Sequence, residues 1–204
     1  MAKKSDAAAS PPAVIKHVFD LAVAVPMADG SLLKSLEIEE PELRHRIAAQ
    51  RERRATESET FARYVAILAG IPEEAAQKIK HRDARKIKAF VDDLKGRGVG
   101  ADLEAERAAL EASGGVPPML ASSRTFTLLV PVATDGAPLT EITVEEPDIA
   151  AGIAVEKFKT EAEQSAALIA TCSGQVIPLI SRMKECDVLR IERWLNFFLN
   201  DGEA

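Results

Sequence analysis

The sequence predicts an α+β protein made of two tandem modules, each a β-hairpin followed by three to four short helices. Three observations carry this expectation. Two runs with apolar residues at alternate positions recur half a chain apart, each is followed by Asp-Gly and a second alternating run closing on Glu-Glu-Pro, and each then gives way to apolar residues at every third or fourth position. The expected organisation is a disordered tail over 1–13, module copy one over 14–95, a linker with a short helix over 96–123, and module copy two over 124–201.

The first strand of each copy reads Leu21-Ala-Val-Ala-Val-Pro26 and Phe126-Thr-Leu-Leu-Val-Pro131. Leu21, Val23 and Val25, and likewise Phe126, Leu128 and Val130, fall on one side of an extended chain, the period of a half-buried strand. Asp29-Gly30 and Asp135-Gly136 accept the positive φ of a tight turn, with one extra residue in the second copy. The returning strands carry Leu36 and Ile38 in one copy, Ile142 and Val144 in the other.

A helix should start at Pro41 and at Pro147, because proline lacks the N–H that the first turn leaves unsatisfied anyway. Leu43 and Ile47 match Ile149 and Ile153. Phe61, Tyr64, Val65 and Leu68 match Ser165, Leu168, Ile169 and Cys172 as one helical stripe, which Gly70 and Gly174 terminate. Asp83 and Asp187 are placed to cap the last helix, whose buried stripe is Ile87, Phe90, Val91 and Leu94 in copy one and Ile191, Trp194, Leu195 and Phe198 in copy two. Between the copies, 101–112 reads as one short, mostly polar helix between Gly-rich and Pro-rich loops.

Composition narrows the function classes. No apolar run approaches the ~20 residues of a membrane span, and no apolar segment follows the first lysines in signal-peptide order, so a cytoplasmic location is expected. Cys172 and Cys186 have no Cys or His at zinc-ligand spacing, which leaves two reduced thiols. Charge is divided unevenly: residues 1–100 hold 18 Lys and Arg against 15 Asp and Glu, while 101–204 hold 8 against 17. The basic residues Arg44, Arg46, Arg51, Arg53 and Arg54, and Lys78, Lys80, Arg82, Arg85, Lys86 and Lys88, support an alternative reading as a nucleic-acid-binding regulator. Glu52, Glu57 and Glu59 are interleaved with the first run, and helical pairing on a solvated face accounts for much of it.

An enzyme is not expected. His17, His45 and His81 occur in copy one only, and Gly96, Gly98 and Gly100 lack the Lys-Ser or Lys-Thr of a phosphate loop. Glu39-Glu40 and Glu145-Glu146 are neighbours on a strand and point to opposite faces, which suits structure better than paired acid-base work. No cofactor, metal or catalytic residue is assigned.

The order of motifs resembles the small tail assembly chaperones of long-tailed phages, the family that includes the Mu-like tail assembly proteins. The shared steps are a strand into a turn with Pro and Gly, a second strand such as Leu36-Glu-Ile-Glu-Glu-Pro41, a helix ending as Leu68-Ala-Gly70 or Cys172-Ser-Gly174 does, and an Asp opening a last amphipathic helix, here Asp83 and Asp187. That family is usually a single module, so the fusion, the linker and the basic first copy depart from it. The resemblance implies a non-enzymatic chaperone in the host cytoplasm that binds the tape measure protein, covers its apolar stripes until tail-tube subunits polymerise, and is absent from the mature virion. The tail tube protein is a further partner it allows; no membrane or nucleic-acid partner is implied, and self-association stays open. A structural tail or baseplate component that remains in the particle is another alternative. Two modules on a flexible linker would add avidity through effective concentration.

The candidate partner-binding residues lie on the last helix of copy two: Leu189, Arg193, Trp194, Phe197 and Phe198. Leu189, Arg193 and Phe197 form a second face at i, i+4, i+8, where copy one has Arg85, Ala89 and Asp93. Apolar and aromatic residues beside an arginine, where the duplicate is charged, have the composition of a binding hot spot.

Overall fold

In a computed structural model that describes residues 15–52, 55–112, 114 and 121–199, two antiparallel hairpins are each followed by helices. The expected disordered tail over 1–13, together with Arg53, Arg54 and most of the loop at 113–120, lies outside the described residues. The elements run β1 (Lys16–Pro26), β2 (Leu32–Glu39), α1 (Leu43–Ala49), α2 (Glu57–Ala69), α3 (Glu73–Ala76), α4 (His81–Gly96), α5 (Val99–Ala112), β3 (Ser123–Val132), β4 (Leu139–Glu145), α6 (Ile149–Val155), α7 (Glu161–Ser173), α8 (Ile177–Ile180) and α9 (Glu185–Leu199). The class is α+β, and the order of two strands and four helices occurs twice, with α5 between.

Each ladder is interrupted halfway. Pairing runs from Lys16↔Glu39 to Asp20↔Ser35 and resumes at Val25↔Leu33; in the second hairpin it breaks between Thr127 and Val132. The irregularity explains why the expected alternation fails at Val23, which is exposed while Val25 is buried. It also releases strand amides for other partners. The Asp83 carboxylate accepts from Ala22 N at 3.0 Å, and the Asp187 carboxylate accepts from Leu129 N at 2.9 Å and Val130 N at 3.3 Å. The two aspartates were expected to cap their helices. Instead α4 opens one turn earlier, with Lys80 at its N-cap, and α9 begins at Glu185, so each carboxylate pins a strand at its break to the final helix.

The turns differ too. Gly30 takes the expected positive φ of 82°, and Asp29 accepts from the Ser31 amide and hydroxyl. Gly136 does not share that φ; in the longer turn, Thr134 Oγ1 accepts from Gly136 N at 3.1 Å and donates to Ala137 O at 2.7 Å. Helices begin two residues after each proline, with Asp148 accepting from Ala151 N at 2.7 Å and Glu42 forming a capping box with His45. Thr56 with Glu59, and Thr160 with Glu163, form matching capping boxes, and Gly70 (φ 63°) and Gly174 (φ 66°) end α2 and α7 as expected.

There are two apolar clusters, one behind each hairpin. Leu36, Ile38, Tyr64, Val65, Leu68, Ile87 and Val91 form the first, with Ala49 from α1. Phe126, Ile142, Val144, Ile169, Ile180, Met183, Ile191, Trp194 and Leu195 belong to the second. Leu43, although it lies in copy one, is fully buried in the second cluster, and Ile47 packs beside it. The modules are therefore joined by a shared core rather than merely tethered. The amides of Leu43 and Arg44 donate to Met183 O (3.0 Å) and Ser181 O (2.8 Å), and Glu185 N donates to Pro41 O (3.0 Å).

Buried charges complete the junction. Glu40, buried at the end of β2, meets Arg97 at 2.5 Å, while exposed Glu39 pairs with Lys16, so the neighbouring glutamates do take opposite sides. Lys184 Nζ donates to Glu40 O (3.1 Å) and Glu42 (3.2 Å), and Glu185 accepts from Tyr64 Oη (2.6 Å) and lies 3.2 Å from Lys95. Burial, with the Glu185 charge alongside, holds the Tyr64 phenol far above its usual range. At the junction the buried Glu185 carboxylate is met by Lys95 of the other module and Glu40 by Arg97 just past α4, and removing one partner would leave an uncompensated charge.

Candidate partner-binding surface

Helix α9 lies against β3 through Ile191, Trp194 and Leu195, with α5 along its other flank. The i, i+3, i+4 spacing of the apolar residues puts these three on one face. Trp194 is buried at 6% exposure, its ring edge-on to Phe126 at 6.2 Å and to Phe198 at 4.8 Å. Phe198 is half-buried against the same cluster. Of the five residues singled out from the sequence, these two serve the core.

The other three sit at the boundary with solvent. Leu189 is 38% and Phe197 37% exposed, and Arg193 Nη2 meets Glu106 on α5 at 2.5 Å. The arginine is thus committed to a neighbouring helix, on a rim where such a pair contributes about 0–1 kcal/mol and can exchange for a partner's carboxylate. One further apolar residue of α9, not singled out from the sequence, is exposed: Leu199, at 49%. Its i+4 spacing from Leu195 reads as the margin of the buried stripe, so spacing within the helix gave no signal of its exposure.

Helix α5 is held by charge. Asp102 accepts from Arg190 (2.7 Å) and lies near Arg124 (3.5 Å), and Glu106 bridges Arg124 (3.0 Å) and Arg193. Arg190 also donates to Thr127 O and to Asp187. Hydrogen bonding to Asp102, with the Asp102 and Asp187 charges, raises the Arg190 guanidinium further above its usual range, against its burial. Over 99–112, then, the segment between the copies is pinned to β3 and α9 rather than free to swing. Apolar residues of α5 itself are not in its core-facing side: Leu103 is exposed.

The residues weighed for catalysis stand apart. His17 stacks on Phe19 (4.5 Å) and Phe90 (5.1 Å), His45 Nδ1 accepts from Glu42 N (3.2 Å), and His81 is exposed. Burial lowers the His45 pKa against the pull of Glu42. Burial likewise pushes the Cys172 thiol up to about 11 and Cys186 up to about 12, so both are poor nucleophiles near neutrality. Among the described residues no cluster of His, Cys, Asp and Glu could hold a metal ion, and no helix is long and apolar enough to cross a membrane.

Two further apolar features were not expected. Ile149 and Ile153, read as stripe residues equivalent to Leu43 and Ile47, are 85% and 56% exposed. On copy one, a groove of about 360 Å³ opens between α2, α3 and α4. Comparisons with protein families, with characterised proteins and with solved structures give no match for this chain.

Proposed function

We propose that this protein is a non-enzymatic phage tail assembly chaperone that binds the tape measure protein in the host cytoplasm and keeps it soluble until the tail tube polymerises. What supports this reading is the edge of α9, where Leu189 and Phe197 remain about a third exposed beside Arg193. A long helical partner with an apolar stripe could cover these side chains and offer a carboxylate to the arginine. The resemblance of the motif order to the tail assembly chaperones is the ground for proposing the tape measure protein as that partner.

The magnitude is modest. Full burial of a Leu or Phe side chain contributes about 1.5–3 kcal/mol, so covering the remaining third of each gives roughly 0.5–1 kcal/mol. The two together account for about tenfold or more in affinity, with the rest of the contact to come from the adjoining surface. Leu189→Arg with Phe197→Asp, which restores the charges of copy one, is expected to leave circular dichroism unchanged and to abolish co-purification with the tape measure protein. Full retention of binding would move the docking site elsewhere, and unfolding would make the face part of the core. Mass spectrometry of purified virions is expected to find the chain missing, as a component that is released before maturation must be.

A further inference from the structure

Across the junction the equivalent helices α4 and α9 pack on each other, but the insertion of α1 is one-sided, and each half of that insertion has an unused duplicate. Copy one inserts α1 into copy two: Leu43 is fully buried there, its amide and that of Arg44 bond to the carbonyls of Met183 and Ser181, and Glu42 pairs with Lys184 at 3.2 Å. The duplicate of α1 is α6. It shows Ile149 and Ile153 at the positions of Leu43 and Ile47, and both are exposed.

The duplicate of the receiving surface is open as well. The cluster that takes Leu43 contains Ala162, Ala166, Ile169, Ile180, Met183, Val188 and Ile191. At the matching positions of copy one stand Ser58, Ala62, Val65, Ala76, Ile79, Ala84 and Ile87, and all seven line the open groove between α2, α3 and α4. Gln77 and Ile79 stand where Ser181 and Met183 supply the receiving carbonyls. Among the described residues, no backbone amide bonds to the carbonyls of Gln77 or Ile79 outside the regular helices.

Charge follows the same pattern. Lys80 takes the place of Lys184 and Asp148 the place of Glu42, so the part-buried Glu42–Lys184 pair has its counterpart in an exposed Asp148 and an exposed Lys80. Lys78 and Arg82 flank the open groove, and Glu145 and Glu146 precede α6. The basic first half and the acidic second half of the chain are thereby complementary end to end. Helix α6 also has no charged residue from Ile149 to Val155, a composition that suits a helix covered on most sides.

From this we infer that α6 of one molecule docks in the α2–α3–α4 groove of a second copy, repeating between chains the contact that joins the two modules within a chain. The same molecule cannot satisfy itself, since its own α6 is exposed while its own groove stands open. Such an interface is heterologous, and it yields a head-to-tail chain or ring rather than a two-fold dimer. A helix of seven residues in a groove is a small interface, so association is weak and rises with concentration.

The test is sedimentation velocity of the purified full-length chain alone, from about 10 µM to about 1 mM, a range that spans the weak affinities of small interfaces. The wild type is expected to rise above its 22.0 kDa monomer mass with concentration. Ile149→Asp with Ile153→Asp disables the inserting helix, and Lys80→Glu with Ala84→Arg disables the groove; each double variant is expected to stay monomeric and to keep its circular dichroism. Mixing the two is the decisive arm, because one variant keeps a working helix and the other a working groove. The mixture is expected to give a 1:1 heterodimer that grows no further. A wild type monomeric throughout, variants that associate as the wild type does, or a mixture that stays monomeric would each overturn the inference. No tail component enters the experiment, so its outcome is separate from that of the chaperone reading.

Discussion

Leu43 and Ile149 occupy equivalent places in the two copies, yet one is fully buried and the other 85% exposed, and this difference makes a quantitative prediction. Leu43→Ala removes a buried branched side chain at the junction. Leu→Ala in a core costs about 2–5 kcal/mol, and the upper part of that range applies where the surroundings cannot collapse. Here the backbone of α1 is fixed by hydrogen bonds to Met183 O and Ser181 O, so collapse is limited and a loss of about 3–4 kcal/mol is expected. Ile149→Ala removes a side chain already in water, for which the change is expected to be within about 0.5 kcal/mol, the more so because Ala is the better helix former. Urea unfolding at low micromolar concentration, below the range in which self-association is expected, compares the two. The single Trp, Trp194, reports on copy two although Leu43 lies in copy one, so its transition should shift for Leu43→Ala and not for Ile149→Ala. Equal effects of the two substitutions, or a Leu43→Ala loss below about 1 kcal/mol, would refute the shared core.

Three further outcomes follow from buried groups. The neutral imidazole of His45 accepts from Glu42 N, and burial depresses its folded pKa below the unfolded 6.5, so its contribution to stability is present above that value and is lost as pH falls through the folded pKa; His45→Gln, which keeps the acceptor, should flatten this part of the stability profile. Asp187→Ala leaves the amides of Leu129 and Val130 without their acceptor and Arg190 without one partner, and it should cost about 1–3 kcal/mol, with faster hydrogen exchange at those two amides as the specific sign. Cys172 and Cys186 are buried, with pKa values raised to about 11 and about 12, so a disulfide reagent at pH 8 should label them only at the rate of unfolding, and prompt labelling of either would contradict their burial.

What could be read from the sequence was what local periodicity and turn chemistry determine. The paired hairpins, the ends of α2 and α7 at Gly70 and Gly174, and the buried stripe of α9 through Ile191, Trp194 and Leu195 rest on spacing within one element. What could not be read depends on partners far along the chain. Asp83 and Asp187 look like caps because their true partners, Ala22, Leu129 and Val130, are 57 to 61 residues away and become available only where the ladders break. Leu43 and Ile149 look alike because nothing within either helix records which of them meets the other module. Comparison of the copies did isolate Leu189, Arg193 and Phe197 as a boundary face, whereas grouping Trp194 and Phe198 with them overlooked that these two already belonged to the core stripe.

The proposed chaperone role is open to a direct experiment: a phage tape measure protein, the proposed partner, is produced alone and together with this chain, and the soluble fraction and the mass of any complex are measured by size-exclusion chromatography with light scattering. The tape measure protein is expected to be insoluble alone, to become soluble in a stable complex when the wild-type chain is present, and to return to the pellet with Leu189→Arg and Phe197→Asp. A tape measure protein equally soluble with and without the chain, or soluble beside it but never in complex, would contradict it.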